Sequence, residues 1–333
     1  MTEQILLSIC IVSYNVREYL EICIDSILEH ASNIKHEIIV VDNNSKDNTK
    51  ELFSAKYTGI KFIASDKNLG FAVANNIAIK ESQGQYIILL NPDTKICNNS
   101  LQNLIACLKQ HPECGVVGPQ LLNKNDSLQN GLREFPRLSN ALIRNSWLKH
   151  IPFFKKRIDK YHMRNFDLTK SGYVDQVSGA AMMFSKATLQ KIGLLDEMFF
   201  IFFEEVDFCK RVRDAGLKVF YFPQSQIYHW GGKSREQDEC KIKLIYLESL
   251  LKYLRKHHKQ YKYLIFIILF KPLYLLSFFL NFISTGLILL FFKIFSLFNN
   301  RILLSRRYVK KVNQFNFYKF FIKNKLFQFI VKF

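Results

Sequence analysis

The chain has 333 residues, 49% of them hydrophobic, which suffices for one large domain or two ordinary ones with a packed core. Its net charge of +19 is uneven, because residues 241–333 hold 18 of the 47 basic residues and one of the 28 acidic residues. That region carries +17 and residues 1–240 carry +2, so we predict a near-neutral domain followed by a basic region. A stretch of 21 uncharged, mostly apolar residues within it, 272–292, excludes nucleic acid as its partner and favours a membrane surface.

The first 90 residues alternate between apolar strands and helical patterns. Strands are predicted at 6–14, 36–42, 59–65 and 85–90, and helices at 17–30, 47–56 and 70–82. Asp47 is the predicted cap of the second helix. Because nearly continuous apolar strands alternate with helices, we predict an α/β fold with a mostly parallel sheet covered on both faces.

Polar side chains lie at the end of each predicted strand. In chain order they are Ser13, Tyr14 and Asn15, then Asp42, then Asn68 and Gly70, then Asn91 and Asp93. Parallel sheets bind ligands beyond the carboxyl ends of their strands, so the sequence predicts a ligand crevice there. The glycines form neither G-x-G-x-x-G nor G-x-x-x-x-G-K-[ST], so neither a dinucleotide-binding fold nor a P-loop is indicated.

Two residues have the chemistry of metal ligands. Asp93 follows a buried strand in NPD, where a carboxylate can hold a divalent ion that binds a diphosphate, or can simply be a turn residue. His229 lies in YHWGG after a strand predicted at 217–222. A lone histidine is usually structural, but an imidazole together with a carboxylate suits Mn²⁺ or a similar ion.

The stretch FFIFFEEVDF, residues 199–208, places three acids at the end of an apolar run. A helix predicted to begin near Glu204 puts Asp207 on the same face and rotates Glu205 by about 100°. Acids in a first turn suit the helix dipole, and this structural role is the alternative to a catalytic one. An apolar wall makes a neighbouring carboxylate more basic, so we expect a proton acceptor among these acids.

Another stretch, VSGAAMMF at 177–184, combines small residues with a short strand. We expect its small residues to let another group approach the backbone, with close strand packing as the alternative.

Basic clusters flank the apolar stretch 272–292 on both sides, and Arg301 belongs to the second cluster. A single span would leave one cluster on the wrong side by the positive-inside rule, and roughly 30 apolar residues are too few for two spans. We therefore expect a re-entrant or interfacial helical hairpin over 263–292 on the cytoplasmic face, with further surface attachment up to Phe333. A buried pair of C-terminal helices is the alternative.

Targeting signals and cysteine usage indicate a compartment. Residues 5–12 are apolar but lack a basic flank and a cleavage site, so no signal peptide is expected. The seven cysteines include no C-x-x-C pair, which predicts a reduced, cytosolic catalytic domain.

Seven motifs occur in a fixed order along the chain. They are SICIVSYN (8–15), VVDNNSKD (40–47), NLGFAVANN (68–76), LLNPD (89–93), VSGAAMMF (177–184), FFIFFEEVDFCKRVRDAG (199–216) and YHWGG (228–232). With them the chain resembles the family 2 glycosyltransferases of the GT-A fold over about residues 5–235, and most of all their bacterial rhamnosyltransferase-like branch. The resemblance implies inverting transfer of a sugar from a nucleotide diphosphate sugar, dTDP-rhamnose or a UDP-sugar. The acceptor it implies is a hydroxyl of a glycan or polyprenyl-diphosphate-linked glycan in cell-surface polysaccharide synthesis.

The resemblance also implies roles for particular residues. The implied nucleotide-sugar-binding residues are Ser13, Tyr14, Asn15, Asp42, Asn68, Gly70, Asn91 and Asp93. Asp93 matches the last aspartate of the family's D-x-D motif, whose first position is Asn91 here, and with His229 it would hold Mg²⁺ or Mn²⁺. Glu205 matches the catalytic base, with glutamate in place of the family's aspartate. Glu204 and Asp207 would shape the base and bind acceptor hydroxyls.

Two other functions are compatible with parts of this pattern. A polyprenyl-phosphate glycosyl synthase would use a lipid phosphate as nucleophile and would need no base, so the acid cluster argues against it. A non-catalytic nucleotide-sugar binder that recruits partners to membranes is permitted by Asn91 and Glu205. For either enzyme we expect residues 1–240 to be the transferase domain and residues 241–333 to attach it to the cytoplasmic face of the cell membrane.

Overall fold

A computed structural model of the chain describes residues 4–231, 239–296, 306–324 and 326. The chain divides into two compact units, of which the first comprises Met1–Phe135 with Lys160–Tyr253 and the second Pro136–Asp159 with Leu254–Phe333. The boundary at residue 240 stays a prediction. Arg301 and Gly232 of the YHWGG motif lie outside the described residues.

Ten strands form one sheet in the first unit. In chain order they are β1 Leu7–Ser13, β2 His36–Asp42, β3 Lys61–Ala64, β4 Tyr86–Leu90, β5 Thr94–Ile96, β6 Cys114–Leu122, β7 Leu128–Gln129, β8 Gly172–Val174, β9 Ala181–Ser185 and β10 Lys218–His229.

The described residues also form α-helices and two short 3₁₀ segments, at Trp147–His150 and Pro152–Phe154. The helices are α1 Arg17–His30, α2 Thr49–Lys56, α3 Phe71–Lys80, α4 Ser100–Gln110, α5 Leu138–Arg144, α6 Lys155–Tyr161, α7 Lys186–Ile192, α8 Glu204–Asp214, α9 Glu239–His257, α10 Gln260–Ser296 and α11 Arg306–Asn324.

The first half of the sheet has the predicted parallel arrangement. Its strands lie in the order β3-β2-β1-β4, and every neighbouring pair is parallel. All residues of β1 and β4 are buried, which explains why both strands are apolar without alternation. The predicted α/β class is therefore confirmed.

The second half of the sheet is mixed and continues as β9-β6-β10-β5. β9 is antiparallel to both β4 and β6, whereas β6 and β10 are parallel. The carboxyl ends of β1, β2, β4 and β10 consequently meet at one edge, together with the first residues of β5 and β9. The polar loops predicted to converge therefore do share one edge of the sheet.

β10 is longer than the sequence predicts. The predicted strand ends at 222, whereas the observed strand continues past Pro223 to His229. Its register against β6 shifts between Phe222 and Gln226, so the proline lies in a bulge where it costs no ladder hydrogen bond. This continuation brings His229 to the polar edge of the sheet.

The prediction that Asp47 caps the second helix is wrong. Asn48 occupies that N-cap position without a side-chain hydrogen bond. Asp47 instead accepts a hydrogen bond from the backbone N–H of Arg17 at 2.8 Å, at the first residue of α1. A carboxylate can satisfy the free N–H groups of any helix end within reach, and α1 is the one it reaches.

In the second unit, α10 is one continuous helix, so the hairpin predicted within 263–292 does not form. α10 continues through Lys271 and Pro272, since lysine is a good helix former and an interior proline removes only one backbone donor. Among the described residues, Gln260–Ile294 is the one helix long and apolar enough to cross a membrane. Only 17% of its most apolar window is buried, which argues against the alternative of a buried core helix.

The six described cysteines are free, and most of them are buried. Burial raises the pKa of Cys23 and of Cys209 to about 12, so both thiols stay protonated at neutral pH. The expectation of a reduced, cytosolic domain stays a prediction.

Candidate functional site

A cavity of about 760 Å³ lies in the first unit at the polar edge of the sheet. Its volume falls within the usual range of small-molecule sites. Its polar lining comes from the ends of several strands and from two helices: Tyr14, Asn43, Asn68, Asn91, Asp93, Ser178, Glu204, Glu205, His229, Glu248, Ser249 and Lys252. Gly70 and Gly179 also line it.

Most of the residues predicted from sequence meet in this cavity. Those that line it are Tyr14, Asn68, Gly70, Asn91, Asp93, Glu204, Glu205 and His229. Four predicted residues are not among the lining residues: Ser13, Asn15, Asp42 and Asp207.

Asp93 and His229 are neighbours because of the strand pairing. His229 is paired with Thr94 in the antiparallel ladder between β10 and β5, and the N–H of Trp230 donates to the carbonyl of Asp93 at 3.0 Å. The two side chains approach each other at 3.5 Å, measured from Nε2 of His229 to Oδ1 of Asp93. Both are nearly fully buried, so this part of the cavity is shielded from water.

Gln129 orients the imidazole from the other side. Its Oε1 lies 2.7 Å from Nδ1 of His229. Because an amide oxygen can only accept, Nδ1 carries a proton, and Nε2 is the nitrogen that faces Asp93. An imidazole held in this tautomer beside a carboxylate has the donor set of a divalent metal site.

The described residues contain no group of three or more His, Cys, Asp or Glu side chains that could hold a metal ion. Asp93 and His229 would therefore supply two ligands, and the others would come from water or a bound phosphate. This matches the way in which Mg²⁺ is usually held, by one or two carboxylates plus substrate oxygens. The residues present fit such an ion.

Glu205 lies against Gly179, which explains the small residues of the VSGAAMMF motif. A Cβ built on Gly179 would lie 3.2 Å from Cβ and 3.3 Å from Cγ of Glu205. The group that approaches this backbone is therefore the Glu205 side chain. Gly179 and Ala180 precede β9, and the carbonyl of Ala180 accepts a hydrogen bond from the N–H of Asn91, so Glu205 is held close to the end of β4.

Asp207 points away from the cavity and fixes α8 in place. It is fully buried, and its Oδ2 lies 2.8 Å from Nε of Arg211. Arg211 also donates to the carbonyl of Ile192, the last residue of α7, and to that of Leu194 in the loop that follows. A buried, hydrogen-bonded pair of this kind leaves neither partner uncompensated.

The apolar run before these acids has a strained backbone. Phe202 and Phe203 have φ values of 70° and 71°, a left-handed conformation that bulky residues rarely adopt. Phe203 is 4% exposed and packs against Tyr246 and Tyr253 of α9. The turn ends at Glu204, so it directs the first turn of α8, with Glu204 and Glu205, toward the cavity.

Gly70 allows the apolar run at Phe200 to pack closely against the start of α3. Its φ of 82° and ψ of −179° lie in a region open only to glycine. A Cβ at this position would lie 2.4 Å from the carbonyl oxygen of Phe200. That carbonyl accepts a hydrogen bond from the N–H of Phe71 at 2.6 Å, which ties the apolar run to the start of α3.

One wall of the cavity comes from α9, which was not predicted from sequence. Ile242, Ile245, Glu248, Ser249 and Lys252 line it, at the i, i+3, i+7 spacing of a single helix face. This spacing could have indicated a helix face that packs against the first unit. The residues were instead grouped with the basic region because of its net charge.

The α9 wall is bonded directly to the apolar loop. Ser249 Oγ donates to the carbonyl of Ile201 at 2.9 Å. Lys252 Nζ donates to the carbonyl of Met198 at 3.0 Å and lies 2.9 Å from Oε1 of Glu248. The wall therefore supports the loop and also presents charged groups to the cavity.

Asp42 and Ser13 lie side by side at the ends of β2 and β1. Oδ2 of Asp42 accepts a hydrogen bond from the N–H of Ser45 at 2.9 Å. Its Oδ1 and the hydroxyl of Ser13 are buried without a hydrogen-bond partner among the described residues. Buried polar atoms are normally paired, so these two atoms have free capacity for a ligand.

Comparison with known proteins identifies relatives of this chain. The family described as "Glycosyl transferase family 2" matches residues 8–187. The chain is 27% identical over 217 residues to the low-salt glycan biosynthesis hexosyltransferase Agl10 of Haloferax volcanii, covering 64% of this chain and 63% of that protein. It is 23% identical over 266 residues to the N-acetylglucosaminyl-diphospho-decaprenol L-rhamnosyltransferase of Mycobacterium tuberculosis, covering 76% and 85%. Rhamnosyltransferase WbbL of Escherichia coli is 23% identical over 256 residues, covering 74% and 92%.

Solved structures show a similar fold. GalNAc-T7, whose crystal structure contains UDP, GalNAc and Mn²⁺, aligns with a TM-score of 0.52 and 17% identity over 69% of this chain and 44% of that one. At this identity the likeness concerns the fold alone.

Replacing Gly70 with alanine tests the close contact between this glycine and the apolar loop. Gly193 is a matched control, since its φ of 78° and ψ of −173° are nearly the same but a Cβ there meets nothing within 4 Å. Gly193→Ala should cost about 1–3 kcal/mol of backbone strain. Gly70→Ala should lower the unfolding free energy further, because its Cβ would displace Phe200. Equal losses in chemical denaturation would contradict the contact.

Proposed function

Because the chain belongs to glycosyl transferase family 2, we propose that it is an inverting glycosyltransferase. It moves a sugar from a nucleotide diphosphate sugar to a hydroxyl group of an acceptor. The observation that carries this proposal is that one cavity contains both Glu204 and Glu205 and the Asp93–His229 pair. The first pair supplies a proton acceptor, and the second supplies ligands for a diphosphate-bound ion.

The nucleotide would occupy the end of the cavity nearest β1 and β2. Asp42 and Ser13 do not line the cavity themselves but directly precede Asn43 and Tyr14, which do, and we assign their unbonded Oδ1 and hydroxyl to the base or ribose. Tyr14, Asn68 and Asn91 line the cavity and would contact the remaining nucleotide. Asn15 would act indirectly, since its Oδ1 accepts a hydrogen bond from the N–H of Lys46 and orders the neighbouring loop.

Asp93 and His229 would hold Mg²⁺ or Mn²⁺. Bound there, the ion would offset the negative charge that develops on the leaving diphosphate. Gln129 keeps the imidazole in the tautomer that this requires. The choice of ion rests on the donor set, a carboxylate and an imidazole.

Glu205 would act as the base. Its carboxylate takes the proton of an acceptor hydroxyl, and the oxygen forms a bond to the anomeric carbon from the face opposite the diphosphate. The bond from the anomeric carbon to the diphosphate oxygen breaks, and the nucleoside diphosphate leaves with that electron pair. Glu204, buried beside it, would hold the hydroxyl. We assign Asp207 a positioning role through Arg211.

The proposed donor is dTDP-rhamnose, and the proposed acceptor is a polyprenyl-diphosphate-linked sugar. The support comes from the names of relatives, which include a decaprenol-linked L-rhamnosyltransferase and a dTDP-rhamnosyl transferase. UDP-sugars are the alternative donors. The setting would be the synthesis of a cell-surface polysaccharide.

We assign the acceptor to the α9 wall. Ile242 and Ile245 give it an apolar part, and Glu248 and Lys252 give it charged groups that can bind sugar hydroxyls. The polar residues at the strand ends are already assigned to the nucleotide, which leaves the α9 wall for the acceptor. A transferase domain that uses this wall extends through α9, beyond the composition change at residue 240.

The second unit would attach the enzyme to the cytoplasmic face of the cell membrane. α10 exposes many large apolar side chains, among them Leu264, Ile268, Ile283 and Leu287. Exposed cations lie just before and within its first turn: Arg255 and Lys256 at the end of α9, Lys259 between the helices, and Lys262 in α10. Exposed apolar surface bordered by cations is the composition that binds anionic membranes.

Glu205→Gln tests the proposed base. Glutamine keeps the shape but accepts no proton, so kcat should fall at least about 100-fold while dTDP affinity stays nearly the same. Glu205→Asp should retain more activity, because it keeps a carboxylate. Glu51→Gln, at an exposed position of α2, is the control. Turnover that is unchanged in Glu205→Gln would remove this residue from the base role.

Asp93→Asn tests the proposed metal site. The dTDP affinity measured by calorimetry with Mn²⁺ should fall at least about 10-fold, and the gain from adding Mn²⁺ should vanish. Without the ion, the variant and the unaltered chain should bind dTDP alike. Asp66→Asn changes an exposed aspartate outside the cavity and should have no effect. A Mn²⁺ effect that persists in Asp93→Asn would place the ion elsewhere.

Glu248→Ala tests the acceptor wall. Losing one hydrogen bond to a sugar hydroxyl should raise the KM for the acceptor about 3- to 10-fold, with dTDP affinity unchanged. Glu18→Ala on the exposed face of α1 is the control. If Glu248→Ala weakens dTDP binding instead, the wall belongs to the donor site.

A further inference from the structure

The exposed apolar face of α10 is longer than a bilayer core. It includes Leu264, Ile268, Phe279, Ile283, Leu290 and Ile294, which at 100° per residue occupy about one third of the helix circumference. From first to last this band measures about 45 Å at 1.5 Å per residue. A hydrocarbon core is about 30 Å thick, so a crossing helix would have to tilt by roughly 50°, more than membrane helices usually do.

α11 runs antiparallel beside the same part of α10. The rings of Phe278 and Phe321 lie 4.7 Å apart, and those of Phe292 and Tyr308 lie 6.0 Å apart. As the numbering rises along α10 it falls along α11. The segment between Tyr308 and Phe321 is therefore level with the uncharged stretch of α10.

That segment of α11 has an exposed polar ridge. Lys310, Asn313, Asn316 and Lys319 are all exposed at successive i, i+3 positions, and together they span about half of the helix circumference. If α10 crossed the bilayer with α11 beside it, this ridge would lie in hydrocarbon, where lysine and asparagine are costly. If both helices lie along the surface, the same side chains reach the headgroups and water.

Charge at the two ends of the band gives an independent argument. Lys262 and Lys293 are exposed at opposite ends of α10, and α10 and α11 contain no acidic residue. A crossing helix would send one of these cationic ends to the outer side, against the positive-inside rule. In the plane of the membrane, both ends meet the same anionic leaflet.

We propose that α10 and α11 lie side by side in the plane of an anionic membrane surface and that neither helix crosses it. The apolar band of α10 is inserted among the acyl chains near the headgroups, and the polar ridge of α11 stays in contact with water. This inference rests on the membrane attachment proposed above and adds its orientation.

Fluorophore depth measurements on the full chain test this orientation. Leu264→Cys, Phe279→Cys and Ile294→Cys are each labelled with NBD and bound to vesicles containing phosphatidylglycerol. The three positions are 15 residues apart, about 22 Å along the helix. Spin-labelled lipids should report one shallow depth for all three, and external dithionite should bleach all three. Ile22→Cys, on an exposed face of α1, should be bleached without contact with the spin labels.

Two results would overturn the proposal. In a crossing helix, Phe279 would lie near the midplane and one end would be protected from dithionite. If a second copy of the chain covers the band, spin-labelled lipids would quench none of the three positions and light scattering would show a dimer.

Binding should weaken strongly in phosphatidylcholine vesicles or high salt. Transfer to a short-chain acceptor in detergent measures the catalytic proposal separately, so that the two can fail independently.

Discussion

The turn at Phe202 and Phe203 is the constraint on which the rest of the site depends. Two bulky residues in left-handed conformations cost of order 1–3 kcal/mol each, so surrounding contacts must hold them there. Phe203 is buried against Tyr246 and Tyr253, and Ser249 bonds to the carbonyl of Ile201. The packing of α9 therefore stabilises a turn that would not form alone.

This turn explains why acids follow an apolar run. The phenylalanines hold the turn in place by packing, and the turn directs the acids toward the cavity. Glu204 and Glu205 begin α8, where the helix dipole favours negative charge. Asp207, one turn further on, holds Arg211 and thereby the loop after α7. The three acids of one short stretch thus divide into two that reach the cavity and one that fixes their helix.

The parallel half of the fold could be predicted from the sequence because its strands are short, apolar and separated by helices with clear periodicity. The grouping of Asn68, Asn91 and Asp93 followed from topology, since parallel strands end at one edge. The pairing of Asp93 with His229 was assigned by chemical type. The structure supplies its cause, a strand that continues through a bulge at Pro223.

Other features could not be predicted because they depend on contacts distant in sequence. Nothing near Gly179 indicates that Glu205 covers it. The contribution of α9 to the cavity was not predicted, because net charge describes a segment as a whole and does not show which face of a helix points inward. The hairpin expected in the basic region was wrong because it was inferred from flanking charge and length alone, which do not show whether a helix turns, and α10 continues through Pro272. The polar ridge of α11 becomes informative only when its neighbour is known.

The central claim is that this cavity binds a nucleoside diphosphate through an ion held by Asp93 and His229, in reach of Glu205. Anomalous diffraction from crystals of the full chain grown with dTDP and Mn²⁺ tests it most directly. We predict one manganese peak at about 2.0–2.3 Å from an Asp93 oxygen and from Nε2 of His229, in contact with the diphosphate. A manganese peak away from these two residues, or dTDP bound outside the cavity, would contradict it.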